Sequence, residues 1–268
     1  MFLSNLTELT MSHGYRKFFR VVPALSDGLR AENYRIRHEV YCRELAYEPL
    51  RTDGLESDEF DARSVHCLVQ SVSTGAYVGC ARLVLDDPAL AGAPLPFEIT
   101  CSSALDRTII DPVSVDRQRI AEISRLAVIG SYRRRRGEQD KPISLSEEDF
   151  GTESRPRQPY LALAVYLGLI ALARQYGIDT LFVLTEPRLA VNLARLGVRI
   201  ERIGGGVDHR GLRFPSMMSV DEIIGGMNFL LRALFEVIAC EVRTGIEAAG
   251  EQAIRASHAP GALVARSR

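Results

Sequence analysis

Two arginines of this sequence occupy positions whose neighbours are mainly apolar. Arg37 lies three or four residues from aromatic residues, which places it on the same face of a helix as they are. Strand alternation places Arg82 on a face whose other residues are apolar. A buried guanidinium needs carboxylate partners, and its forked geometry can donate to two of them. Asp58 and Asp61 stand three residues apart between the two arginines. We therefore predict one cluster of these four residues, while a structural salt-bridge network and solvated surface charges are alternatives that fit the same pattern.

A second charged pair interrupts the apolar run at residues 121–128. Glu122 and Arg125 are three residues apart, so the strict alternation of a strand would place them on opposite faces. A β-bulge between them would turn both towards one cleft. Glu122 is then a candidate general base, acting directly or through water on an amine that attacks a thioester, and Arg125 is a candidate for holding a carboxylate. A structural role for this pair is the alternative.

Other residue types that often mark chemistry give weaker signals. The five histidines share no spacing with the five cysteines that would build a metal site, so we predict no metal. Gly204, Gly205 and Gly206 precede no helix start, which favours a hairpin turn over a phosphate-binding loop.

The elements that must position these residues follow from periodicity and from turn signals. A helix with a cap at Ser26 carries Arg37, a hairpin carries Arg82, and a further strand carries Glu122 and Arg125. The predicted strands are 18–22, 65–72, 76–85, 119–129, 180–184 and 198–203, and the predicted helices are 27–45, 159–176, 187–195 and 227–243. This order predicts an α/β (α+β) fold with a mixed central sheet flanked by helices.

Composition limits the class of protein. The chain has 268 residues, 46% hydrophobic and 25% charged, which is typical of a folded domain. We expect one domain at 15–245, with a mobile polar insertion at 131–158, and a tail at 246–268. The formal net charge of -1 argues against nucleic acid as a partner. The longest apolar run, 160–173, is shorter than the roughly 20 residues of a transmembrane helix.

The number and spacing of the cysteines favour a reducing compartment. The five cysteines form no C-x-x-C pair, and their odd number fits no disulfide framework. The first twenty residues also lack the basic start and apolar run of a secretory signal. We therefore expect a cytoplasmic protein.

Four short runs together carry a family resemblance. The runs YRIRHEVY at 34–41, LESDEFD at 55–61, GCARL at 79–83 and EISRLAV at 122–128 resemble the acyl-homoserine-lactone synthases, in that family's order and at similar spacing. The resemblance implies the GNAT acyltransferase fold, a cleft built around the charged residues, and an acyl carrier protein as the acyl donor. It further implies that Arg37, Tyr41, Tyr47, Asp58, Asp61 and Arg82 line the substrate site.

The resemblance also extends to two related groups. Tyr41 stands where the synthases usually carry phenylalanine, Tyr47 stands where they usually carry tryptophan, and the chain has no tryptophan. With the insertion and the long C-terminus, the chain looks more like the acyltransferases encoded with exosortase and PEP-CTERM sorting systems, and like the N-acyl amino acid synthases. That branch implies transfer of a fatty acyl group to a small amine or amino acid. An acyl-homoserine-lactone synthase, a CoA-dependent GNAT acetyltransferase and a silent acyl-binding scaffold are the alternatives.

The expected donor is an acyl-phosphopantetheine thioester, with no permanently bound cofactor. Ordinary GNAT acetyltransferases resemble one another in an R-x-x-G-x-G/A loop that holds the CoA pyrophosphate, and here only Arg136 and Gly137 remain of it. This loss favours a carrier protein over CoA. The candidate docking site for that acidic partner is the run of Arg133, Arg134, Arg135 and Arg136. The alternative is that these arginines are simply exposed to solvent. The thioester carbonyl is expected between two parallel strands, polarised by backbone N–H groups near Val128.

Overall fold

The computed structural model describes residues 12–87, 92–133, 151–152, 155–156, 160–195 and 197–258. Of the predicted insertion at 131–158, it describes residues 131–133 and one pair of two-residue strands. Arg134, Arg135 and Arg136 lie outside the described residues, so their docking role stays a prediction. The predicted division at 245 and 246 falls inside a helix that continues to His258.

Strands and helices follow one another along the chain in a mixed order, with two or more strands in succession at three places. The strands are β1 (Phe19–Pro23), β2 (Ser64–Ser71), β3 (Tyr77–Leu85), β4 (Ile120–Val128), β5 (Gly151–Thr152), β6 (Arg155–Pro156), β7 (Thr180–Thr185), β8 (Glu201–Arg202), β9 (Val207–Asp208) and β10 (Leu212–Ser219). The helices are α1 (12–18), α2 (Asp27–Arg37), α3 (Pro96–Thr100), α4 (Tyr160–Gln175), α5 (Pro187–Arg195), α6 (Val220–Gly226) and α7 (Phe229–His258). A π-helical turn (His38–Glu44) continues α2, and a 3-10 turn spans Glu59–Arg63.

One mixed sheet organises the fold. Its strand order is β1-β2-β3-β4-β7-β10-β8, and β9 pairs with β10. The neighbours in the sheet are antiparallel except β4 and β7, which are parallel. The predicted α/β fold with a mixed central sheet and flanking helices is confirmed.

Alternation along the strands divides the core between the two faces of the sheet. Ala81 packs in the core cluster that contains α4, α6 and α7, whereas its neighbour Cys80 packs with α2. Helix α4 is apolar on nearly all sides because it lies against the sheet on one side and α7 on the other. A third cluster joins α3 to β3, β4 and β7. No helix within the described ranges is long and apolar enough to cross a bilayer.

The parallel strands β4 and β7 separate part of the way along their length. Their pairing runs from Ile120 opposite Thr180 to Ile123 opposite Val183. Strand β4 then continues to Val128, still paired with β3 but, among the described residues, no longer paired with β7. This separation leaves a gap in the middle of the sheet, and the predicted site residues of β4 lie at its edge.

Candidate functional site

Arg37 is the centre of a buried charge network. It lies in the last turn of α2 and is fully buried. Its Nε is 2.5 Å from Glu56 Oε2, and its Nη1 is 2.6 Å from Asp61 Oδ1. Both carboxylates are nearly inaccessible, so the guanidinium is held by two desolvated partners. The predicted partnership of Arg37 and Asp61 is present in the structure, and Glu56 is an additional partner.

Arg82 on β3 joins the same network from the sheet. Its Nη1 lies 2.5 Å from Asp58 Oδ1 and 2.9 Å from Asp61 Oδ1, and its Nε donates to Ser124 Oγ at 3.1 Å. The Asp61 Oδ1 atom therefore bridges Arg37 and Arg82. The structure brings together all four residues that the sequence predicts as one cluster.

Local backbone structure fixes the two aspartates. Asp58 is the N-cap of the 3-10 turn and accepts from the Phe60 N–H, while the Asp61 carboxylate accepts from the Asp58 N–H at 2.8 Å. This capping uses Asp61 Oδ2, which leaves Asp61 Oδ1 to face the arginines, whereas Asp58 Oδ1 accepts from both the Phe60 N–H and Arg82. The i,i+3 spacing of the two aspartates thus serves both the turn and the network.

The charge network has a direct consequence for acid stability. Burial alone would raise the pKa of Asp61, but the hydrogen bond and charge of Arg37, together with the charge of Arg82, lower it to about 2. Because the unfolded value is 3.8, ionised Asp61 stabilises the fold above pH 3.8, and this contribution is lost as the pH falls through about 2. It amounts to about 2 kcal/mol.

We therefore expect the free energy of unfolding of the wild type to fall more steeply over this acid range than that of Asp61→Asn. Urea denaturation at a series of pH values measures both slopes. Parallel slopes for the two proteins would show that Asp61 is not held ionised by the arginines.

A β-bulge turns Arg125 into the network, as the sequence predicts. Cys80 pairs with Ala127 and Arg82 with Ser124, so β4 carries one extra residue between them. Arg125 adopts a positive φ of 53° at this point. Its Nη2 is 3.1 Å from Asp58 Oδ2, and its Nε is 3.3 Å from Glu56 Oε1. Arg125 and Asp58, with side chains 19% and 17% exposed, thus form the partly exposed end of the network.

Glu122 shares a sheet face with Arg82 but lies in different surroundings. It is opposite Val84 on β3 and buried in the apolar region around Phe97 and Phe182, where its Oε2 accepts from the Phe97 N–H at 2.6 Å. In the described structure its carboxylate forms no ion pair with either Arg82 or Arg125. Burial raises the pKa of Glu122 to about 8, although the Phe97 N–H and the charge of Arg82 act in the opposite direction.

The predicted aromatic residues lie beside Arg125. The Tyr41 hydroxyl, on the π-helical turn, donates to the Leu126 carbonyl at 2.7 Å, and the Tyr41 ring lies 5.8 Å from the Arg125 guanidinium carbon. The Tyr47 ring centroid is 6.5 Å from that of Tyr41. Both tyrosines therefore lie at the end of the network that contains Arg125.

Val128 ends β4 beside the gap. The Ile129 N–H donates to the Val78 carbonyl of β3 at 3.0 Å. Because backbone N–H groups alternate along an antiparallel pair, the Val128 N–H points away from β3, to the side where β7 has separated. This direction suits the predicted contact with a thioester carbonyl.

Arg133 differs from the prediction that it is an exposed docking residue. It is 5% exposed and forms an ion pair with Glu44 at the end of the π-helical turn. The Glu44 carboxylate also accepts from the Gly130 N–H at 2.8 Å. Glu44 is 89 residues earlier in the chain, so the charge run alone gave no sign of this burial.

Three residues of the site were not predicted from the sequence. Glu56 is the second carboxylate that pairs with Arg37. The sequence offered a signal for it, because the three candidate arginines outnumber the two candidate aspartates. Glu48 contacts both Arg125 and Arg210, a residue on the turn between β9 and β10. No local pattern links Glu48 to Arg210, because 162 residues separate them. No group of three potential metal ligands occurs in the described part of the chain.

The comparisons with known proteins concern the domain and the fold. Residues 36–140 match the family model described as the acetyltransferase (GNAT) domain, which spans the site from Arg37 to Val128. A comparison with curated proteins gives no match.

Solved structures of similar fold include three proteins of low sequence identity. TofI, in a ternary complex with an inhibitor and MTA, is 19% identical with a TM-score of 0.54, over 80% of this chain and 99% of that chain. The AHL synthase LasI is 18% identical with a TM-score of 0.52, over 78% and 95%. MesI, a CoA-dependent acyl-homoserine lactone synthase, is 21% identical with a TM-score of 0.51, over 82% and 95%. The predicted GNAT-like fold is confirmed, and the domain match supports an N-acyltransferase.

Proposed function

We propose that this protein is a cytoplasmic N-acyltransferase that moves a fatty acyl group from a phosphopantetheine thioester to a small amine or amino acid. The observation that carries this proposal is that the bulged Arg125 lies beyond the last β4–β7 pair, while the buried Glu122 lies one residue before that pair on the same strand. An acyl chain needs an opening in the sheet, and an amine acceptor needs polar groups at the mouth of that opening. Strand β4 borders the opening and also carries the polar groups.

The reaction follows from the groups beside the gap. The thioester carbonyl lies between β4 and β7, and the Val128 N–H stabilises the negative charge that develops on its oxygen. The acceptor nitrogen attacks the carbonyl carbon, so a C–N bond forms and the C–S bond breaks. Glu122 takes the proton that the nitrogen loses and returns it to the pantetheine sulfur, directly or through water, so the sulfur leaves as a thiol.

The remaining residues orient the acceptor. Arg125 and the rings of Tyr41 and Tyr47 form the acceptor side of the site. The buried residues behind them hold Arg125 in its bulged conformation through Glu56 and Asp58. A side chain that is fixed before the substrate binds loses less freedom on binding.

We favour an acyl carrier protein over CoA as the molecule that carries the acyl thioester, since the sequence lacks most of the loop that binds the CoA pyrophosphate. The description of MesI as CoA-dependent makes CoA the specific alternative. The association with an exosortase system is part of the same proposal and rests on the resemblance of the sequence.

An assay of the purified full-length protein tests the proposal. A matched series of saturated acyl chains is supplied on acyl carrier protein or on CoA, with the twenty amino acids or S-adenosylmethionine as acceptors, and products are identified by mass spectrometry. We expect N-acyl amino acids, formed faster from the carrier protein, with little inhibition by micromolar free CoA. Formation of lactone would identify an acyl-homoserine-lactone synthase instead. Absence of any acyl transfer would overturn the enzyme assignment.

A further inference from the structure

Two strained backbone positions carry arginines that contact one carboxylate, and a third lies two residues before that carboxylate in the sequence. Within the described ranges, the non-glycine residues with positive φ are Ala46 (50°), Arg125 (53°) and Arg210 (57°). The left-handed conformation is unfavourable for residues with a Cβ, and such strain concentrates at binding and catalytic sites. Ala46 immediately precedes Tyr47 and Glu48 in the sequence, and both arginines contact the Glu48 carboxylate. Segments distant in sequence are therefore held in strained conformations around one acidic group.

The Glu48 carboxylate lies between two guanidinium groups. Its Oε1 is 3.5 Å from Arg125 Nη2 and forms a closer ion pair with Arg210 Nη2. Each guanidinium also lies over an aromatic ring, at 5.8 Å from Tyr41 for Arg125 and 5.4 Å from Tyr47 for Arg210. The two guanidinium groups, each over a ring, are donors suited to a negatively charged, planar group such as a carboxylate.

Exposure separates this carboxylate from those of Glu56 and Asp61, which are 2% and 5% exposed. The side chains of Glu48, Arg125 and Arg210 are 24%, 19% and 25% exposed. Glu48 can therefore rotate into solvent, whereas a buried carboxylate that left its arginine would remain desolvated.

We propose that Arg125 and Arg210 form the binding site for the carboxylate of the acyl acceptor, and that Glu48 occupies this site until the acceptor displaces it. This inference rests on the proposed function, because it concerns the amine substrate of the same site. Arg210 is then a specificity-determining residue supplied by the β9–β10 turn. The exchange of one carboxylate for another leaves the charge of the site unchanged, so it carries no additional cost of burying an unpaired cation.

The test compares acceptors that differ only in the carboxylate. Purified full-length protein is supplied with acyl donor and with either a mixture of the twenty amino acids or a mixture of the corresponding amino acid amides. We expect kcat/KM to be about 10- to 100-fold higher for the acids, as two charge-assisted contacts predict. Arg210→Gln should remove this preference by raising KM for the acids while kcat changes little, and Arg210→Lys should restore part of it. Glu48→Gln should lower KM for the acids.

Arg202→Gln is the matched control, since Arg202 also lies over an aromatic ring, that of Phe214, but on β8 and without contact to Glu48. Its preference for acids should equal that of the wild type. Equal use of acids and amides by the wild type would overturn the carboxylate site and leave the acyltransferase proposal intact.

Thermal shift measurements with the same two mixtures and no donor give an independent result. Stabilisation of the wild type by acids, absent in Arg210→Gln, without any acyl transfer would support the carboxylate site and overturn the proposed function. Absence of both transfer and selective stabilisation would overturn both.

Discussion

Replacing Glu122 by glutamine is expected to lower acyl-transfer turnover by about 10²- to 10⁴-fold, with the fold retained. Glutamine keeps an oxygen that can accept from the Phe97 N–H, the contact that Glu122 makes at 2.6 Å. It removes the carboxylate that would take the proton from the acceptor. Alanine is a less informative substitution because it would leave that buried N–H unpaired and create a cavity.

The pH dependence of the same variant gives a second measurement. With a pKa of about 8, Glu122 is mostly protonated at neutral pH, so wild-type turnover should rise as the pH increases through about 8. The neutral carboxyl stabilises the fold fully below the unfolded value of 4.5, and this stabilisation is lost as the pH rises through about 8. Neither trend should be present in Glu122→Gln.

Steady-state kinetics and thermal unfolding across this range measure both trends. Glu59→Gln, which changes an exposed carboxylate on the 3-10 turn, is the control and should retain wild-type turnover. Turnover of Glu122→Gln within a few-fold of the wild type would exclude the general-base role.

Replacing Arg37 by methionine is expected to destabilise the protein by about 3–5 kcal/mol. The substitution keeps an unbranched apolar side chain but removes one of the two arginines that each carboxylate contacts, so that Glu56 keeps only Arg125 and Asp61 keeps only Arg82. Their side chains are 2% and 5% exposed, so water cannot replace the lost contacts. Urea denaturation followed by circular dichroism measures the loss.

A second arginine of the same helix provides the comparison. Arg30 pairs with Asp27 on the surface, where the two side chains are 41% and 96% exposed, and Arg30→Met should cost less than about 1 kcal/mol. Adding Glu56→Gln to Arg37→Met should recover part of the stability, because one buried charge that has lost a partner is removed. Equal losses in Arg37→Met and Arg30→Met would show that the network does not stabilise the fold.

Local patterns were sufficient to predict much of the sheet. The hairpin of β2 and β3 was placed within one residue at all four ends, because its turn is marked by small polar residues and by Gly75, which adopts the positive φ of 72° that the turn requires. Helix α4 ends as expected before Gly177, which has a φ of 69°. The predicted strand at 198–203 is reduced to the two residues of β8.

Strand β10 was missed because Pro215 stands near its centre, and proline argues against a central strand. The Pro215 carbonyl accepts from the Ile203 N–H on the β8 side, so the proline nitrogen faces the same side. Strand β8 pairs with only Ser216 and Met217 there, so the missing donor lies at the end of a short ladder. The cost of the proline is therefore small, and only the three-dimensional pairing shows why.

Some residues of the site could be predicted from local sequence patterns, and others depend on contacts between distant parts of the chain. The cluster of Arg37, Asp58, Asp61 and Arg82 was predictable because a charge in an apolar pattern must find a partner nearby. The role of Glu48 was not, since it depends on a turn that reaches the site from the other half of the chain. The change from α-helix to π-helix at His38 was also unpredicted, and it places Tyr41 against the Leu126 carbonyl.

Mass spectrometry of lipids from cells that overexpress the protein is the most direct test of acyl transfer at this gap in the sheet. Cells with the wild type should accumulate N-acylated amines or amino acids that are absent from cells with Glu122→Gln at the same expression level. Identical lipid profiles for the wild type, Glu122→Gln and the empty vector would contradict the proposal that this strand carries an acyltransferase site.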